Sequence, residues 1–177
     1  CAEPLVVAAG FDAAGNLRTA GSLDFESQNA YSIRVRTTDS GGLWCEATFV
    51  ITVSNVNEAP TDVSLSATTV AEDQFVVGQF STTDPDASDT FTYALVSGDG
   101  DVDNGCFTMS VNGGWLIAAT TLDYETKSSY AVRVRATDAG GLSYERAFII
   151  TVTDVNESPT AIALSSTSVA ENQPVDT

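Results

Sequence analysis

Acidic side chains recur along this chain at one fixed interval, which is the first sign that they share a chemical task. Asp24 and Asp123, Glu26 and Glu125, Asp39 and Asp138, and Glu72 and Glu171 each stand 99 residues apart, as do the runs Val56-Asn57-Glu58-Ala59-Pro60 and Val155-Asn156-Glu157-Ser158-Pro159. Each run sets an amide beside a carboxylate and ends in a proline, which lacks the N–H needed for further β-pairing and so marks a junction. Carboxylates and amides offer hard oxygen donors only. Histidine is absent, so the commonest general base and the usual zinc or copper ligand are missing, and triads that need histidine are excluded. The chemistry open to clustered oxygens is cation binding.

Composition points the same way. Seven basic residues against 24 acidic ones leave a net charge of -17, which argues strongly against nucleic acid or anionic membrane as a partner and makes metal cations the natural counter-charge. Acids that served only solubility would scatter instead of recurring at fixed offsets. Cys1, Cys45 and Cys106 are an odd, widely spaced set that supports neither a zinc knuckle nor a dense disulfide scaffold. A Cys1 to Cys45 bridge would leave Cys106 over. No segment reaches the roughly 18 apolar residues of a membrane span, and no basic region followed by an apolar run opens the chain, so an export signal or anchor is expected outside this stretch.

The elements that must position the acids read as a tandem repeat. Residues 31–60 and 130–159 are identical at 18 of 30 positions, and a period of 99 residues is the size of one small domain. The expected divisions are 1–59, the later part of a first copy; 60–158, a complete copy; and 159–177, the start of a third. This is the pattern of a piece of a longer array.

Within the copies, apolar residues alternate with polar ones at the period of a half-buried strand, as in Tyr31, Ile33 and Val35 or Tyr130, Val132 and Val134. The Asp39-Ser40-Gly41-Gly42 turn and the return run Phe49 to Val53 make residues 30–54 a β-hairpin. In the complete copy seven strands are predicted: Val63 to Leu65 with Val70, Phe75 to Phe80, Thr90 to Val96, Phe107 to Val111, Trp115 to Thr120, Tyr130 to Ala136 and Glu145 to Val152. The fold class is therefore all-β, an antiparallel Greek-key β-sandwich repeated in tandem. Trp115, at a strand start, is read as core and Trp44 as exposed.

Loops after alternate strands gather at the same end of such a sandwich. Asp84, Asp86 and Asp138 then lie at the end where the chain arrives, and Glu72, Asp123, Glu125, Asp154 and Glu157 at the end where it leaves. Stacking the copies assembles Asp24, Glu26, Glu58, Asp84, Asp86 and Asp138, with the amides of Asn55 and Asn57, at the first junction. Two carboxylates about 5 Å apart repel by roughly 3 kcal/mol at an effective dielectric of 20, so several pairs would rival the whole stability of a domain, about 5–15 kcal/mol. An all-oxygen cluster of this kind suits Ca2+, which accepts six to eight oxygens in irregular geometry.

These motifs resemble the cadherin repeat: Glu72 in Val-Ala-Glu-Asp, Asp84-Pro85-Asp86, Leu122-Asp123-Tyr124-Glu125, Ala136-Thr137-Asp138, and the linker Asp154-Val155-Asn156-Glu157-Ser158-Pro159. The resemblance implies Ca2+ at each junction, held by Asp24, Glu26, Asn55, Asn57, Glu58, Asp84, Asp86 and Asp138 at the first. At the second it implies Glu72, Asp123, Glu125, Asp154, Asn156 and Glu157, with backbone carbonyls at Val56 and Ala59 or Val155 and Ser158. Glu58 and Glu157 stand where the family usually has aspartate, and Asn55 replaces an aspartate, so the first junction should hold fewer or weaker ions. The short Asp84 to Tyr93 segment and the Ala/Ser/Thr-rich style are closer to bacterial cadherin-like repeats than to animal adhesion receptors.

Three functions compete. The leading one is a non-enzymatic, Ca2+-stiffened array at the cell surface or outside the cell, used in adhesion or as a stalk, whose partners are neighbouring repeats and either homophilic protein or cell-surface carbohydrate. The second is a carbohydrate-binding module of a secreted polysaccharide-degrading protein, which needs an exposed aromatic platform. The third, a carboxylate hydrolase, fails because the paired acids sit in junction motifs and no substrate pocket can be inferred.

Overall fold

The computed structural model describes residues 9–165 except 112, together with 167, 168 and 171. Cys1 and much of the expected third copy lie outside the described residues. Cys45 and Cys106 carry free thiols.

Alternation of β-branched and aromatic residues with polar ones produces strands that bury one face. In the complete copy these are β5 (Asp62–Leu65), β6 (Thr69–Ala71), β7 (Val76–Thr83), β8 (Thr92–Leu95), β9 (Phe107–Met109), β10 (Trp115–Ala118), β11 (Ser129–Thr137) and β12 (Ser143–Thr153). They form two four-stranded sheets in the orders β5-β7-β10-β9 and β6-β12-β11-β8. The hairpin of β11 and β12 pairs Tyr130 with Ile150 and Val132 with Phe148, so these side chains point into one core. Val63, Leu116, Val132, Val134 and Ile150 there are fully buried. Phe80 of the first sheet stacks on Tyr93 and meets Phe148 of the second, with ring centroids 5.3 and 5.8 Å apart, and such pairs add about 0.5–1.5 kcal/mol beyond area burial.

One predicted strand is two. The run from Val63 through Val70 divides into β5, antiparallel to β7, and β6, parallel to β12, so the chain changes sheets at residues 66–68. Gly78 makes the crossing possible: a Cβ there would stand 2.9 Å from the Ala67 backbone nitrogen, closer than side chains pack.

The first copy contributes β1 (Ala9–Phe11), β2 (Leu17–Thr19), β3 (Ala30–Thr38) and β4 (Trp44–Thr52), as two separate hairpins. Among its described residues none before Pro60 is buried. The β3–β4 register, Tyr31 with Ile51 and Ile33 with Phe49, repeats that of β11–β12, so the hairpin expected over 30–54 is present. Trp44 is 58% exposed, as expected, but Trp115 is 42% exposed, which corrects its reading as core. Leu116 and Ala118 take the inward phase of β10, and a period of two leaves Trp115 outside.

Candidate metal centre at the junction

The linker, residues 55–60, docks on the arriving end of the complete copy by hydrogen bonds of its own side chains and backbone. Asp86 accepts one bond from the Asn55 amide at 2.7 Å and another from the Glu58 N–H at 2.9 Å. Asn57 donates to Asp138 at 3.0 Å, whose other oxygen accepts the Leu142 N–H and closes the β11–β12 turn. Asp138 is buried. Gly140 in that turn leaves the space Asn57 occupies, since a Cβ would lie 2.4 Å from the Asn57 side chain. The Gly140→Ala change should therefore push Asn57 off Asp138, read as faster hydrogen exchange at the Glu58 amide with the β11–β12 core unchanged. Its equivalent Gly41→Ala, where the Cβ meets only the Asp39 carboxylate at 3.3 Å, should be tolerated.

Two carboxylate groups share Asp86. Oxygens of Glu26, Glu58 and Asp86 lie within 4.8 Å of one another, and so do those of Asp84, Asp86 and Asp89. Glu58 Oε2, Asp84 Oδ2 and Asp89 Oδ2 are buried with no hydrogen-bond partner, a state that is costly unless a ligand fills it. Electrostatics divide the acids accordingly. The Asn55 amide and the Glu58 N–H hold the Asp86 carboxyl below its usual range. Burial, then the charges of Glu26, Asp86 and Asp24, push Glu58 up, while burial and then Asp138, Asp84 and Asp86 push Asp89 up.

At the leaving end Glu72 is the organiser. It is buried, and its two oxygens accept the Tyr124 and Val155 N–H groups at 2.8 and 2.7 Å, which ties the end of β6 to the Asp123 turn and the outgoing linker and lowers its own pKa. Oxygens of Glu72, Asp123 and Glu125 converge, as do those of Glu72, Asp154 and Glu157. Burial and the nearby Glu72 charge push Glu157 up, as at its counterpart Glu58. Asn156 is exposed in the linker.

Asp24 stands apart from the converging groups. Both its oxygens accept bonds from Ser27, backbone at 3.1 Å and hydroxyl at 2.8 Å, and Thr126 treats Asp123 in the same way. Asp89 is the residue that sequence reading missed. Its counterpart one period earlier falls before residue 1, so the repeat offset cannot flag it; the spacing Asp84-X-Asp86-X-X-Asp89 could have.

None of the seven lysine and arginine side chains forms an ion pair with these groups. All seven basic residues form ion pairs elsewhere: Arg18 with Asp12, Arg34 and Arg36 with Glu46, Lys127 with Asp103, Arg133 and Arg135 with Glu145, and Arg146 with Asp62. The Arg-Glu-Arg arrangement recurs at the same offset on the outer face of both hairpins, so it is a property of the repeat.

A tandem β-sandwich module with acid-lined ends is the class this architecture defines. The cadherin domain family matches residues 66–153. Cadherin-4 of Caenorhabditis elegans is 34% identical over 152 residues, covering 82% of this chain and 3% of that protein. Protocadherin Fat 2 of Mus musculus is 32% identical over 167 residues, covering 89% and 4%. Among solved structures, PcdhgB3 EC1-4 superposes with a TM-score of 0.62 at 24% identity over 84% of this chain and 37% of that one. Mouse cadherin-23 EC22-24 gives 0.57 at 23% identity over 80% and 48%. The chain belongs to the cadherin repeat family. It spans only 3–4% of the length of these two curated relatives.

Proposed function

We propose that this chain is a non-enzymatic, calcium-binding module of an extracellular or cell-surface array, in which ions held at the junctions stiffen successive repeats for adhesion or as a stalk. One observation carries the reading: the junction acids crowd together with three buried, unpartnered oxygens, while every basic residue of the chain is engaged elsewhere. A divalent cation is the missing charge. The donor set fits Ca2+, which takes six to eight oxygens in flexible geometry, better than Mg2+, which demands a near-ideal octahedron and keeps its waters. Glu26, Glu58, Asp84, Asp86 and Asp138 would hold it at the first junction, with the Asn55 and Asn57 amides turned to present their carbonyl oxygens and Asp24 set to shape the turn beside them. Glu72, Asp123, Glu125, Asp154, Asn156 and Glu157 would serve the second. When bound, the ion supplies positive charge shared between two modules. The partners are the neighbouring repeats and, through the array, another cell-surface protein or carbohydrate.

The carbohydrate-module reading gains less support. It needs bare aromatic faces, and Trp44 carries the Arg36 guanidinium 4.4 Å from its ring centre. The test is calorimetric titration of the chain with Ca2+ and with Mg2+. Saturable binding of Ca2+ is expected with Kd of about 10⁻⁴ to 10⁻³ M, the range of extracellular modules, and weaker binding of Mg2+. No saturable binding up to about 5 mM Ca2+, well above the lower limit of that range, would overturn the reading.

A further inference from the structure

One broad face of the complete module carries no charge. β7, β9 and β10 contain neither acid nor base, although 24 acidic and seven basic residues are spread over the chain. Val77 and Phe80 of β7 and Leu116 and Ala118 of β10 are buried, so their neighbours Val76, Gln79, Trp115 and Ile117 point away from the core. A register shift between Leu116 and Ile117 sets Trp115 opposite Gln79 and Ile117 opposite Val76, which gathers the four on one patch. The outer side of the other sheet is the opposite case, with Arg133, Arg135 and Glu145 paired across β11 and β12.

Trp115 is the centre of this face. It is 42% exposed, and among the described residues no cation or second ring lies against it, whereas Arg36 covers Trp44. Gln79 spends its backbone groups on Ser66. Its side-chain amide, two donors and an acceptor, is exposed and without a partner among the described residues. Farther across the same face Ser64 and Ser81 share a hydrogen bond at 2.8 Å. The fold does not ask for the tryptophan: one period earlier stand Asn16 and Leu17, so the repeat keeps the leucine and not the ring beside it. A bare ring that packing does not need marks a contact surface.

Charge and size choose the occupant. A second copy would bring another chain of net charge -17, and one ring with two aliphatic neighbours supplies no apolar core for an interface of roughly 800 Å² per partner. A charged ligand would find no ion pair here. A neutral sugar fits, because the partially positive C–H face of a pyranose packs on the negative face of an indole while its hydroxyls meet the donors and acceptor of the Gln79 amide.

We infer that the outer face of β7 and β10 binds a neutral glycan, with Trp115 as the stacking platform and Gln79 as the hydrogen-bonding residue beside it. The inference rests on the extracellular-array reading and names carbohydrate as the outward partner this module takes. The site lies on the flank of the sandwich, and none of its residues belongs to the converging acids at the two ends.

The experiment runs the 177-residue chain, Trp115→Ala, Trp115→Phe, Gln79→Ala and Trp44→Ala in native gels that contain neutral polysaccharides (β-glucan, xylan, mannan or galactan) or anionic ones (pectate or alginate). Retardation by at least one neutral polysaccharide and by neither anionic one is expected. Trp115→Ala should weaken it about tenfold or more, the scale of a central aromatic anchor, Gln79→Ala in part, and Trp44→Ala not at all. Trp115→Phe keeps a stacking face and should recover part of the binding, which separates loss of the platform from loss of the fold. No retardation by any neutral polysaccharide, or retardation that Trp115→Ala leaves intact, overturns the inference. So does a parent that sediments as a dimer which Trp115→Ala dissociates, since the face then belongs to a second copy. Titrating the same samples with Ca2+ keeps the two readings apart: a chain that binds Ca2+ and no polysaccharide loses only this site, and one that binds polysaccharide and no Ca2+ loses only the junctions.

Discussion

Calcium at about 5 mM is expected to raise the melting temperature of this chain by about 10 °C over the same chain in chelator. At a Kd of about 10⁻⁴ M that concentration is roughly fifty-fold above half-saturation, and a ligand that binds only the folded state then stabilises it by about 2.3 kcal/mol for a single site. A domain of 60–100 residues gains roughly 4–8 °C per kcal/mol. The physical source is relief of repulsion: Glu58 and Asp89 are raised in pKa by burial and by neighbouring carboxylates, and the chain's seven basic residues are paired with other acids. Monovalent salt screens such repulsion without supplying a ligand, so sodium chloride of equal ionic strength should give only a small part of the shift. Identical melting in chelator and in calcium would sink the junction reading altogether. A shift reproduced in full by sodium chloride would reduce the acids to a repelling surface.

The architecture was legible because its signals are periodic. Alternation over Tyr130, Val132 and Val134 against Arg133 and Arg135 specifies which face of β11 is buried, and Val132 and Val134 are fully buried. What escaped was decided by contacts distant in sequence. The crossing between β5 and β6 depends on Gly78 of another strand accepting the Ala67 backbone, and nothing in the run from Val63 to Val70 records it. A strand start does not by itself set the phase: Leu116 and Ala118 take the inward positions of β10 and leave Trp115 outside. At the site, the division of acids between the two ends followed from loop alternation alone. The different duties within each end did not: Asp24 is satisfied by Ser27, Asp86 by the linker, and Asp89 keeps one buried oxygen, Oδ2, without a partner. Those assignments depend on where N–H groups point, which only the folded chain specifies.

The second large effect concerns Asp86, the one carboxylate common to both groups at the first junction. Removing it deletes a ligand, frees the Asn55 amide and the Glu58 N–H, and so unfastens the linker from the module it docks on. Asp86→Ala is therefore expected to weaken calcium at the first junction by more than tenfold, since extracellular sites are tuned by ligand charge and rigidity together and this change lowers both. Asp138→Ala should follow it, because Asn57 then loses its partner. Asp39→Ala is the contrast. Asp39 is the counterpart of Asp138, but its Oδ1 accepts the Gly41 and Leu43 N–H groups of its own turn, each at 2.9 Å, and it faces away from this junction; the change should loosen the β3–β4 turn and leave calcium binding alone. The mechanical consequence is read by small-angle scattering on a longer chain with two complete copies. Calcium should lengthen and stiffen the parent, whereas Asp86→Ala should scatter alike with and without chelator. If Asp39→Ala proved as damaging to calcium binding as Asp86→Ala, the assignment of acids to the two ends would be wrong. If the parent kept one maximum dimension in chelator and in calcium, the ions would serve each module separately, and the array would be a loose string and not a rod.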